Sequence, residues 1–128
     1  MARISEQASV LVARDVSAAI DYWVEKLGFA VRGRWGEPVG FAILERDGAR
    51  VMLGQAKPEA EITPYWKQRD GLWNAYFWVD DARTMYHEMT ARGAVIDYDL
   101  CTQPYGVLEF GVRDLEGHDI AFGQVVEA

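Results

Sequence analysis

Ser9-Val-Leu-Val-Ala-Arg-Asp15-Val and Ala75-Tyr-Phe-Trp-Val-Asp80-Asp81-Ala decide the fold, because the second rewrites the first. Each is a short apolar run that ends on an acidic residue. A helical pattern follows in both, closing at Leu27-Gly28-Phe29 in one case and at Arg92-Gly93-Ala94 in the other, at an offset of 65 to 66. Farther along, Phe41-Ala-Ile-Leu-Glu-Arg-Asp-Gly48-Ala-Arg-Val51-Met-Leu-Gly-Gln55 lies over Phe110-Gly-Val-Arg-Asp-Leu-Glu-Gly117-His-Asp-Ile120-Ala-Phe-Gly-Gln124 at an offset of 69. A chain that repeats itself at such a period is built from copies of one supersecondary unit. Each half therefore reads as a strand, a helix and three strands: residues 1–57 as a first βαβββ module, 72–128 as a second, and 58–71 as a connector.

The helices are read from spacing and caps. Val16, Ile20, Trp23 and Leu27 recur at three to four residues, Asp15 stands at the N-cap and Gly28 where a left-handed residue ends a helix. Ala82, Met85, Tyr86 and Met89 repeat the pattern between Asp81 and Gly93. Phe41, Ile43, Val51 and Leu53 alternate around Asp47-Gly48, and Phe110, Val112, Ile120 and Phe122 around Glu116-Gly117, as hairpins with one buried face should. The connector carries Pro58 and Pro64, with one short helical turn expected around Tyr65 to Gln68. Gly33-Arg-Trp-Gly36 has no Lys-Ser/Thr ending and precedes no helix, so it reads as a turn and not a phosphate loop.

Composition narrows the function. A chain of 128 residues, half of them apolar, has the size and composition of one compact domain with its own core. The longest stretches without a charged side chain, Gly71–Val79 and Leu100–Leu108, are nine residues long, far short of the ~20 needed to span a bilayer. Arg3, Glu6, Arg14 and Asp15 interrupt any apolar run that a secretory signal would need, and the single Cys101 makes no internal disulfide, so a cytoplasmic protein is expected. A net charge of −7 repels polyanions and argues against nucleic acid as partner.

The duplicated module with these punctuation marks resembles the vicinal oxygen chelate superfamily, which includes glyoxalase I, extradiol dioxygenases and bleomycin-resistance proteins. The resemblance rests on Val12-Ala-Arg-Asp-Val-Ser-Ala-Ala-Ile-Asp-Tyr-Trp with Leu27-Gly-Phe, and on Pro104-Tyr-Gly-Val-Leu-Glu-Phe-Gly-Val-Arg-Asp-Leu-Glu-Gly-His-Asp-Ile-Ala-Phe-Gly. The second piece is closest to the bleomycin-resistance branch. The resemblance implies an α+β fold in which two tandem βαβββ modules form a cup-shaped mixed sheet with helices on the convex side, and it implies a homodimer. Family enzymes hold a divalent metal on four side chains, and the matching positions here are Ala8, Met52, Asn74 and Ala121. Methyl groups, a thioether and one amide are not the donors a hard cation requires, so neither a metal nor another cofactor is expected.

Strand alternation then enumerates the cup: Ala8, Val10, Val12, Met52, Gly54, Asn74, Tyr76, Trp78, Ala121 and Gly123, with Val107, Glu109 and Gly111 beside them if Phe110 and Val112 pack under helices. Small residues leave volume, Tyr76 and Trp78 supply flat faces, and Asn74 and Glu109 supply polar atoms, the composition of an organic-ligand site. Trp35 and Trp66 stand beside turn or loop signals; the resemblance implies aromatics at the mouth of the cup that sandwich a planar ring, a role open to Trp35, Trp66 and Tyr105, and the enrichment of aromatics at interfaces leaves packing against a second subunit as the alternative. Glu109 can pair with a ligand cation, act as a base, or bind an arginine at the rim. His87 and His118 read as solvated, Asp80-Asp81 as a helix cap, and Cys101 as passive.

Two functions follow. In the first, the chain binds a planar, cationic or amphipathic small molecule, such as an antibiotic, without a metal and without altering it, with ligand contacts from Trp35, Met52, Trp66, Asn74, Tyr76, Trp78, Tyr105 and Glu109. In the second, a glyoxalase-like enzyme works without the usual metal, using Glu109, Tyr76 or Asn74 for proton transfer.

Overall fold

The computed structural model describes residues 1–127, so Ala128, the last residue expected for the second module, lies outside the described residues. Two compact units divide the chain, Met1–Ile62 and Thr63–Ala128. The first contains β1 (Ala8–Ala13), α1 (Val16–Leu27), β2 (Ala30–Trp35), β3 (Phe41–Arg46) and β4 (Ala49–Gln55). The second contains a 3-10 turn (Tyr65–Lys67), β5 (Ala75–Trp78), α2 (Ala82–Arg92), β6 (Val95–Gln103), β7 (Val107–Arg113) and β8 (Asp119–Val125). The fold is thus α+β with the βαβββ order in each unit, and its hydrogen bonds make two four-stranded mixed sheets, β1-β4-β3-β2 and β5-β8-β7-β6. In each the first strand runs parallel to the last, and the other pairs are antiparallel.

The two helices start and stop where their sequences place the caps. The Asp15 carboxylate accepts the Ala18 N–H at 3.2 Å and the Asp81 carboxylate that of Thr84 at 3.0 Å, satisfying orphan donors of the first turn. Gly28 and Gly93 close them at φ 74° and 84°, a conformation that a side chain disfavours. In the first unit α1 buries Val16, Ala19, Ile20, Trp23 and Leu27 against β2, β3 and β4, whose facing residues include Ala42, Leu44, Val51 and Leu53. In the second, α2 buries Ala82 and Met89 and sets Tyr86 edge-on to Phe110, which stacks on Phe122 with centroids 5.2 Å apart.

The hairpins correct one expectation. Phe110, Val112, Ile120 and Phe122 share the helix-covered face, all at most 2% exposed. Phe41 and Ile43, however, pair with Gly54 and Met52 and stand on the face opposite Val51 and Leu53. The first hairpin turns on Asp47-Gly48 alone, while the second spends residues 114–118 on its loop. That changes the register, so Phe41 corresponds by position to Glu109 and not to Phe110. Gly33-Arg34-Trp35 is likewise not a turn: it forms the second part of β2 after an irregularity between Val31 and Gly33. The connector behaves as two ends. Arg14 donates to the carbonyls of Lys57, Pro58 and Ala60 in the first unit, whereas Trp66 Nε1 donates to the Gly117 carbonyl at 2.6 Å in the second.

Candidate functional site

The face of the second sheet opposite α2 is set by register. Trp78, Gly123, Glu109 and Cys101 form one row across β5, β8, β7 and β6; Tyr76, Ala121, Gly111 and Tyr98 form the next. Two glycines in the middle strands are what let two large rings lie flat there. A Cβ on Gly111 would run into the Tyr98 ring, and a Cβ on Gly123 into the Tyr76 phenol. The volume that these glycines were expected to leave for a ligand is therefore filled by the chain's own tyrosines. Gly54 in the first sheet is the exception, with nothing within 4 Å of its would-be Cβ.

Glu109 is the hub of this face. It is fully buried, and its carboxylate accepts four hydrogen bonds: from Tyr76 (2.7 Å) and Tyr105 (2.7 Å) on Oε1, and from Tyr98 (2.6 Å) and Gln103 (3.2 Å) on Oε2. The reading of a rim glutamate bound to an arginine is thus wrong, because the donors are three phenols and an amide. Burial, followed by the hydrogen bond to the Glu109 carboxylate, pushes the Tyr76, Tyr98 and Tyr105 phenols well above their ordinary value, so all three hold their protons. Trp73 supports the arrangement, donating from Nε1 to the Tyr98 hydroxyl at 3.0 Å and meeting the Tyr76 ring edge-on at 4.7 Å. Trp78 stands at the outer end of the row, 64% exposed, its ring 4.8 Å from that of Tyr76.

Of the residues singled out in the sequence, Tyr76, Trp78, Tyr105 and Glu109 come together. Asn74 and Trp66 do structural work at the other end of the same sheet. The Asn74 Oδ1 accepts the Tyr65 N–H at 3.1 Å, and the Trp66 ring lies 4.3 Å from the Arg113 guanidinium besides its bond to Gly117. Trp35 and Met52 belong to the first unit. Trp35 is exposed beside Phe41, and Met52 is half-buried between Val10 and Ile43 in the register. Val10 and Val12 are exposed on that face, opposite the α1 side. Tyr98, Gln103 and Trp73 escaped the sequence reading. The β6 register shifts twice, between Ile96 and Tyr98 and between Tyr98 and Cys101, so simple alternation cannot be carried along it. A tyrosine opposite a glycine was the available signal.

His118 also departs from expectation, being 2% exposed. Its N–H and that of Glu116 bond to the Asp114 carboxylate, which folds the 114–118 loop inward, and Pro64 lies beside Gly117. Burial pushes the Asp114 carboxyl up to about 6. Asp119, buried beside Asp97 and Arg113, is also pushed up to about 6, by burial first and then by the Asp97 carboxylate. His87 is exposed as expected.

A divalent metal does not fit the four corresponding positions. Ala8 and Ala121 carry no donor atom, Met52 carries a soft thioether, and the amide oxygen of Asn74 already accepts a backbone N–H. Among the described residues no three His, Cys, Asp or Glu side chains converge in a metal-binding group.

The model of the glyoxalase/bleomycin resistance protein/dioxygenase superfamily matches residues 6–122. The chain belongs to that superfamily. Within the glyoxalase/bleomycin resistance fold it is similar to TioX from Micromonospora sp. ML1, at 27% identity and a TM-score of 0.74 over 95% of this chain and 99% of that one. It is equally identical, at 27%, to the bleomycin-binding protein of bleomycin-producing Streptomyces verticillus, solved complexed with copper(II)-bleomycin. There the TM-score is 0.70 over 95% of this chain and 97% of that chain. TnmS3, an antibiotic binding protein from Streptomyces sp. CB03234, has the same fold at 21% identity and a TM-score of 0.72, with 98% of each chain covered. No curated protein matches the chain. No helix is long and apolar enough to cross a membrane among the described residues.

Proposed function

We propose that this member of the superfamily binds a planar, cationic or amphipathic organic molecule and releases it unchanged, without a metal. The observation that carries the reading is Trp78: an indole 64% exposed, held against a tyrosine whose hydroxyl is tied to a buried carboxylate. A flat, polarizable surface that has lost its freedom before the ligand arrives is what stacking requires. The ring face also attracts cations, and a net charge of −7 raises their local concentration. The bleomycin-binding relative supports a drug-like ligand.

Proton-transfer chemistry is less well supported. Both oxygens of Glu109 already accept hydrogen bonds, Asn74 is committed to the backbone, and the tyrosines hold their protons more tightly than usual. The reading includes a homodimer in the cytoplasm. Exposed Val10, Val12 and Trp35 on one sheet face favour cover by a second copy, and the free thiol of Cys101 suits a reducing compartment. Titration of tryptophan fluorescence with planar cationic drugs, followed by mass spectrometry of the recovered ligand, tests it. Saturable quenching with an unchanged mass is expected. A new mass would replace binding with catalysis, and no quenching by any planar drug would remove the reading.

A further inference from the structure

Glu109 is a buried carboxylate whose hydrogen-bond donors are all neutral: Tyr76 and Tyr105 on Oε1, Tyr98 and Gln103 on Oε2. No lysine, arginine or histidine pairs with it among the described residues. A charge taken out of water and left without a counter-ion is an unusual arrangement, because hydrogen bonds from neutral groups only partly replace solvation. The four donors also differ in how firmly they are held. Tyr76 is wedged between Trp73 and Trp78 over Gly123, and Tyr98 lies over Gly111 and receives the Trp73 N–H. Tyr105 is 56% exposed on the turn between β6 and β7, and the bond from its hydroxyl to Oε1 is the only side-chain tie it makes among the described residues.

We infer that Tyr105 is a displaceable donor: a ligand N–H takes its place on Glu109 Oε1, which makes Glu109 the counter-ion and selects planar organic cations bearing an N–H group. The exchange trades a bond in which only the acceptor is charged for one in which donor and acceptor carry opposite charges, while the other three donors keep the carboxylate in place. It needs only rotation of an exposed side chain, since the backbone of the turn is fastened by the Gly106 carbonyl, which accepts from Val126 and Glu127. The ligand ring then meets Trp78 beside Tyr76, the phenol that shares Oε1. The inference rests on the small-molecule reading above and deepens it.

Three acridines separate the terms at pH 7: 9-aminoacridine (a cation with N–H), 10-methylacridinium (a cation without N–H) and neutral acridine, each titrated by calorimetry. Wild type is expected to bind 9-aminoacridine about tenfold more tightly than the other two, the effect of one hydrogen bond to a charged group. Tyr105→Phe removes the competing donor and is expected to tighten 9-aminoacridine alone, by about fivefold. Glu109→Gln is expected to abolish the preference; if it does not fold, the Tyr105→Phe comparison decides. Equal binding of all three probes, or a Tyr105→Phe change shared by all three, would overturn the inference while leaving small-molecule binding intact. Failure of every probe to bind would overturn both.

Discussion

The Tyr98 ring lies so close over Gly111 that a Cβ built on residue 111 would stand 2.8 Å from the ring Cδ1, inside van der Waals contact. The glycine is there for the ring and not for the backbone, whose φ is ordinary at this position. Gly111→Ala is accordingly expected to push Tyr98 off Glu109 and to destabilise the protein by about 1–3 kcal/mol, the range of core overpacking. Gly54→Ala, on the corresponding face of the first sheet with nothing within 4 Å, is expected to be neutral or to stabilise by about 0.5 kcal/mol. Urea unfolding of the two variants side by side checks the contrast.

Much of this was open to reading in the primary structure, and the failures have definite causes. Asp15, Gly28, Asp81 and Gly93 marked both helices because caps and left-handed stops are local chemistry. Tyr76, Trp78 and Glu109 fall on one face by simple alternation because β5, β7 and β8 keep a regular register. Two register shifts in β6 hide Tyr98, and the longer loop of the second hairpin puts Phe41 on the face opposite the one that its alignment with Phe110 implies. His118 departs for a different reason: it is buried in a loop that folds onto the Asp114 carboxylate and whose Gly117 carbonyl accepts from Trp66, 51 residues upstream, and no periodicity records such contacts.

The tyrosine cluster has an alkaline consequence. Each phenol is raised above the ordinary value of 10.0, chiefly by burial and then by the Glu109 carboxylate. A group that holds its proton more tightly when folded contributes stability that is complete below its unfolded value and is lost as the pH rises past it. Stability is expected to fall from about pH 10 upward. Tyr98→Phe is expected to lower stability by about 1–3 kcal/mol at pH 8, from two lost hydrogen bonds, to Glu109 and from Trp73, and to flatten the decline above pH 10. Denaturant midpoints measured from pH 8 to 11 read both effects.

Asp119 acts with the same sign at a lower pH. Its carboxyl is raised from 3.8 to about 6 by burial and by Asp97, against the opposing effect of Arg113. The protonated form is favoured by folding, so this contribution is complete below about pH 4 and lost as the pH rises through about 6. Asp119→Asn keeps an acceptor for Arg113 and supplies a donor for Asp97. It is expected to stabilise the protein by up to about 3 kcal/mol at pH 7 and by nothing at pH 4, since each unit of the shift from 3.8 to about 6 corresponds to about 1.4 kcal/mol. Thermal unfolding at the two pH values distinguishes this from a uniform change.

Trp66 tests whether the connector is a strap. Its indole N–H reaches the Gly117 carbonyl and its ring covers Arg113, so Trp66→Phe removes the hydrogen bond and keeps most of the stack. A loss of about 1 kcal/mol is expected, with faster amide exchange in residues 114–118 because the loop would no longer be held by a segment so distant in sequence. Unchanged exchange there would mean that Asp114 alone, through the His118 and Glu116 amides, fixes the loop.

Trp78 separates folding from binding. The residue is 64% exposed, so Trp78→Ala removes little buried surface and should leave the denaturant midpoint within about 0.5 kcal/mol of wild type. The indole nevertheless provides the open end of the aromatic row that Tyr76 and Glu109 hold in place. Its loss is expected to weaken a planar ligand by about 1–3 kcal/mol, the worth of a stacked aromatic contact at a binding site. A neutral aliphatic ligand of similar size should lose less, because it gains shape contact but no ring–ring attraction. Calorimetry with both ligand types on folded Trp78→Ala protein makes the comparison, and equal small losses for the two would mean that the indole serves as wall and not as platform.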